Sequence, residues 1–137
     1  MITLKKYAAI DIGSNAMRLL ITNIVEQKGQ PTQFNKSSLV RVPIRLGQDA
    51  FTVGEISNEN IERMVDAMKA FSLLMKVHKV EQYKACATSA MREAYNSAEI
   101  VTIIKKKTDI KIEIIDGKKE AAIIAASDLK QFINANK

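Results

Sequence analysis

The chain has 137 residues, one domain's worth, and a chain of that length can bury enough surface to fold without disulfides or structural metals. One cysteine and one histidine exclude an intramolecular disulfide framework and leave almost nothing for His/Cys metal or nucleophile chemistry. Lys and Arg number 21 against 15 Asp and Glu, and the resulting +6 suits a polyanionic partner, whereas the absence of Trp weakens any nucleic-acid reading that depends on base stacking. No apolar run approaches the ~18–20 residues of a membrane-spanning helix. The segment from Met1 to Tyr7 carries no apolar signal-peptide core. A cytoplasmic protein with no membrane partner and no specific nucleic-acid partner is expected.

Residues 6–12 form a nearly continuous apolar run and read as a buried strand. Gly13-Ser14-Asn15 carries turn chemistry, and the branched-rich segment 17–25 follows at once, so the two strands should form a hairpin. A third strand fits within 32–46. There Val40, Val42, Ile44 and Leu46 share one face while Arg41 and Arg45 share the other. Pro43 places that strand at an edge or a bulge. The segment 47–56 shows no clear period and reads as a loop. Ser57 can cap a helix over 58–78, whose Ile61, Met64, Val65, Met68, Phe71 and Met75 recur at helical spacing.

Residues 82–87 read as a short strand, and Thr88 to Ala94 as a turn opening a helical stretch. Asn96 with Glu99 three residues on has the pattern of a capping box for a helix over 97–107. A strand over 110–115 and a helix over 118–134 complete the order β-β-β-α-β-α-β-α. That order predicts an α/β fold: a mixed five-stranded sheet, antiparallel first and parallel later, with helices on both faces.

Three stretches can carry chemistry. Asp11 ends a buried strand, where a carboxylate is costly unless something pairs with it. A metal ion or a phosphate site could supply that partner, and so could hydrogen bonds from the turn. The backbone N–H groups of Gly13, Ser14 and Asn15 can cradle a phosphate. Ser89 and Arg92 stand at a strand-to-helix junction, where an arginine adds bidentate phosphate recognition or is simply solvated. Glu120, just after Asp116-Gly117, can be a general base or an ordinary acidic residue near a helix start. Cys86 reads as a buried strand residue, His78 as an exposed helix end, and Lys105-Lys106-Lys107 as a solvated helix terminus.

Taken together these stretches resemble the Ppx/GppA family, the exopolyphosphatases and guanosine pentaphosphate phosphohydrolases. Tyr7-Ala-Ala-Ile-Asp11-Ile-Gly13-Ser14-Asn15-Ala-Met-Arg18-Leu-Leu-Ile is similar to the family's A-A-I-D-L-G-S-N-S-F-R-L-L-I. Ala87-Thr88-Ser89-Ala90-Met91-Arg92-Glu93-Ala94 is similar to A-T-S-A-L-R-E-A, and Ile114 to Ala121 to I-I-S-G-E-E-E-A. The three occur in the family's order and span most of the chain.

The resemblance implies an actin-like ATPase (ribonuclease H-like, ASKHA) half-domain. It implies that Gly13, Ser14, Asn15 and Arg92 line a phosphate site, that Glu120 is the general base on the attacking water, and that Asp11 lies near a divalent metal, Mg²⁺. The implied reaction releases terminal orthophosphate from inorganic polyphosphate or from pppGpp, in a full-length protein expected to be a homodimer. Lys118 and Lys119 depart from the family by replacing acidic residues beside Glu120. Family proteins also continue into a second half-domain with another phosphate loop. The chain is therefore expected to be the N-terminal half alone, and inactive by itself. The alternatives are a non-catalytic polyphosphate or alarmone-binding module, a lysine-driven nucleic-acid binder, and a kinase of the same superfamily.

Overall fold

The computed structural model describes residues 2–115. Over that span the elements run β1 (Ile2–Ile12), β2 (Ala16–Gln27), β3 (Gln33–Pro43), α1 (Leu46–Thr52), α2 (Asn58–Val77), β4 (Gln82–Ala87), α3 (Ser89–Glu93), α4 (Ser97–Thr108) and β5 (Ile112–Ile114). They build one five-stranded sheet in the order β3-β2-β1-β4-β5. β1 and β2 are antiparallel, as are β2 and β3, whereas β4 pairs parallel to β1, and β5 parallel to β4. This is the mixed α/β sheet expected from the sequence, and β3, which ends at Pro43, is an edge strand as its proline requires.

One face of the sheet is the core. Ala8, Ile10 and Ile12 of β1 meet Met17, Leu19 and Ile21 of β2 and Ala85 and Ala87 of β4, all buried. Helix α2 covers them with Met64, Val65, Met68, Phe71 and Met75, the same stripe that its 3.6-residue period predicts. Helix α4 adds Ile100 and Ile104, and α1 and α3 add Leu46, Ala50, Ala90 and Met91. All four described helices thus pack into the core on this one face. The helix expected over 118–134, which would supply the second layer, lies outside the described residues.

Three expectations are corrected. The segment read as a loop begins with the two-turn helix α1, because Leu46 and Ala50 are four residues apart and both point into the core. Asn96 precedes α4 but makes no side-chain cap. Its amide instead accepts from Ile56 N and donates to Ile56 O, both at 3.0 Å, and so ties the start of α4 to the start of α2. Ser57 does cap α2, its hydroxyl accepting from Asn60 N at 3.2 Å. His78 is the C-cap of α2 but is half-buried rather than exposed.

Candidate functional site

The β1–β2 connection is three residues long and is closed by Gly13 N donating to Ala16 O at 3.0 Å. The segment leading into α1 grips this turn from the other side. Gly47 N donates to Ser14 O at 2.8 Å, and Ile44 N donates to Asn15 O at 3.2 Å. Both loop carbonyls are thereby used. The N–H groups of Ser14 and Asn15 make no backbone hydrogen bond among the described residues. Ser14 is half-buried and Asn15 exposed, so these donors are available to a ligand. Unused adjacent N–H groups on a turn suit an anion.

Gly47 is required for this grip. A Cβ there would stand 2.9 Å from Ser14 Cβ and 3.2 Å from the Phe51 ring. Only glycine lets α1 approach the loop closely enough for the Gly47–Ser14 hydrogen bond.

The loop sits where β1 ends, beside the end of β4, because Ile12 pairs with Ala87. Thr88, buried, ties the two together: its N–H donates to Ile12 O at 3.1 Å. The carboxyl ends of parallel strands are where open α/β sheets place ligands. Arg92 stands on α3, immediately after this junction. Its guanidinium donates from Nη1 to Ile115 O at 2.7 Å and from Nη2 to Ser89 Oγ at 3.4 Å. It therefore anchors the chain as it leaves β5, and the five-donor fork keeps N–H groups over for an anion.

Asp11 finds its partner within the sheet. Arg18, directly opposite on β2, forms a salt bridge with it. This ion pair answers the burial cost that the sequence raised. The register continues outward: Arg41 of β3 is opposite Arg18, Cys86 of β4 is beside Asp11, and Glu113 of β5 is beside Cys86. One row of side chains thus crosses all five strands on the face away from the core. The Cys86 thiol in this row is buried, and burial first, then the nearby Glu113 and Asp11 carboxylates, push its pKa up to about 11 against the opposing pull of Lys84. It is a structural residue, as expected.

The sequence singled out Gly13, Ser14, Asn15, Asp11 and Arg92, and the structure places all of them at this one edge of the sheet. Glu120, Asp116 and Gly117 lie outside the described residues. Arg41 and Arg45 were read as one face of a strand and given no role, and Arg18 entered only as part of a motif. Among the described residues no three His, Cys, Asp or Glu side chains come together as a metal set. No described helix is long and apolar enough to cross a membrane.

The five-stranded mixed sheet, with the turn and Arg92 following its β1 and β4 strands, is an α/β domain of the actin-like ATPase type, as its match to solved structures shows. The chain belongs to the Ppx/GppA phosphatase family, whose model matches residues 21–137. Among solved structures, the Aquifex aeolicus member of that family is 28% identical with a TM-score of 0.80, covering 88% of this chain and 38% of that one. An exopolyphosphatase from Cytophaga hutchinsonii is 31% identical with a TM-score of 0.76, covering 88% of this chain and 37% of that one. Exopolyphosphatase 1 of Mycobacterium bovis is 23% identical over 118 residues, or 86% of this chain and 33% of that protein. The chain spans about a third of the length of these relatives.

Proposed function

We propose that this chain is the N-terminal half-domain of a phosphohydrolase that releases terminal orthophosphate from inorganic polyphosphate or from pppGpp. The observation that carries the proposal is the turn at residues 13–15, where the carbonyls of Ser14 and Asn15 are bound and the N–H groups of the same two residues make no backbone hydrogen bond. Family membership and the similarity to exopolyphosphatases support the substrate class.

In this reading the terminal phosphoryl group rests on the Gly13-Ser14-Asn15 loop, held by the N–H groups of Ser14 and Asn15, and on the guanidinium of Arg92. Water attacks its phosphorus in line. Glu120 takes the water's proton as the new P–O bond forms, and the bridging P–O bond breaks toward the remaining chain. The products are orthophosphate and a polyanion shorter by one phosphoryl group. Negative charge spreads over the equatorial oxygens in the transition state, and fixed N–H donors and an arginine are suited to stabilise it.

The resemblance brings Mg²⁺ with it. The described residues do not compose a seat for that ion: Asp11 is the carboxylate at the loop, and it faces Arg18. The rest of the catalytic cleft is assigned to parts of the protein beyond this half-domain.

The test is Glu120→Gln in the whole protein. A hydrolase loses about 10²–10⁴-fold in rate when a general base is removed and keeps its polyphosphate affinity. Unchanged orthophosphate release would remove Glu120 from the mechanism. Absence of turnover in the whole wild-type protein, with binding retained, would instead favour a sensor that uses the same loop.

A further inference from the structure

Beside the loop lies a cavity of about 540 Å³ lined by Asn15, Arg41, Pro43, Arg45 and Gln48. Asn15 belongs to both, so the cavity continues directly from the turn that offers its N–H groups. We propose that Arg41 and Arg45 form a second anion subsite there, which holds inner phosphoryl groups of an inorganic polyphosphate whose terminal group sits on the loop. The proposal rests on the reading of the loop as a phosphate seat.

Three observations carry it. First, the charge is uncompensated. Arg18 and Arg41 stand directly opposite on β2 and β3, a like-charge pairing that destabilises a sheet. Asp11 answers Arg18, but neither Arg41 nor Arg45 has a carboxylate partner among the described residues. A local conflict without an internal remedy marks functional positions more often than structural ones. Second, the chemistry is matched. Two exposed guanidiniums with the side-chain amides of Asn15 and Gln48 make a donor-rich wall, and guanidinium forks pair with phosphate oxygens two at a time. Third, no aromatic side chain lines the cavity, so it lacks the stacking platform that a nucleobase or single-stranded nucleic acid would use. An unadorned phosphate chain fits this lining better than a nucleotide does.

The test compares two probes on this chain, inorganic pyrophosphate and long-chain polyphosphate, by titration calorimetry at fixed salt. Arg41→Ala/Arg45→Ala should weaken the long chain by about tenfold or more and change pyrophosphate by less than about twofold. Arg41→Lys/Arg45→Lys should recover part of that loss, since charge returns without the fork. Lys105→Ala/Lys106→Ala/Lys107→Ala removes three exposed charges elsewhere and should leave the ratio of the two affinities as it is. An equal loss from the lysine variant would overturn the subsite in favour of diffuse attraction, and so would an arginine variant that binds the long chain like wild type. If wild type binds neither probe, it is the reading of the loop that fails, and the subsite falls with it.

Discussion

Single residues at the loop differ in what they tolerate. Gly47 has no room for a methyl group, because Ser14 Cβ and the Phe51 ring occupy the space. Gly47→Ala must push the loop and α1 apart or bend one of them. The expected cost is about 1–3 kcal/mol, the usual range for overpacking, read as a lower urea midpoint. Loss of the Gly47–Ser14 hydrogen bond should accompany it. A midpoint equal to wild type would show that α1 does not fix the loop. Cys86 behaves differently. Its thiol is buried, and its pKa of about 11 leaves little thiolate at neutral pH. Alkylation by iodoacetamide at pH 8 should therefore follow unfolding of the chain rather than ordinary thiol kinetics. Rapid labelling of the native protein would mean that the row from Arg41 to Glu113 is open to solvent at β4.

At the scale of elements, the junction between α1 and α2 depends on one carboxylate. Asp49 accepts from Ser57 N and from Asn60 Nδ2, each at 2.9 Å, while Ser57 caps α2. The Ser57 backbone hydrogen bond, helped by the Asn60 and Ser57 side chains, holds Asp49 below the usual carboxylate range against the opposing effect of burial. A lowered folded pKa contributes stability that is present above the unfolded value and is lost as pH falls through the folded one. Wild type should thus lose this contribution below about pH 4, and Asp49→Asn should show a flatter stability profile there. Asp49→Ala should cost about 1 kcal/mol at neutral pH. Identical profiles for wild type and Asp49→Asn would contradict this role.

The elements themselves were legible in the sequence where one period dominates. The stripe from Ile61 to Met75 marked α2, and alternation with Pro43 marked an edge strand. The helix α1 was not legible, because seven residues carry only Leu46 and Ala50 as periodic anchors, and Gly47 within it and Gly54 just after it look like loop. Asn96 misled for a physical reason: its side chain fits a cap equally well, and only the tertiary approach of Ile56 decides between them. The site followed the same rule. The turn at 13–15 could be read locally. The salt bridge of Asp11 with Arg18 and the position of Arg41 opposite Arg18 needed the β1-β2-β3 register, which motif reading does not supply.

For the whole molecule, the turn and the cavity lined by Arg41 and Arg45 share Asn15, while the lysines of the last turn of α4 are exposed on a separate element. The chain spans 33–38% of its relatives, and the proposed reaction needs the remainder. The most direct measurement is an amide NMR titration of the 137-residue chain with inorganic tripolyphosphate. The largest shifts are expected at Ser14 and Asn15, with further shifts in the segment from Ser89 to Arg92. Shifts confined to Lys105, Lys106 and Lys107 would contradict this, and would reduce the +6 balance to a surface that attracts any polyanion.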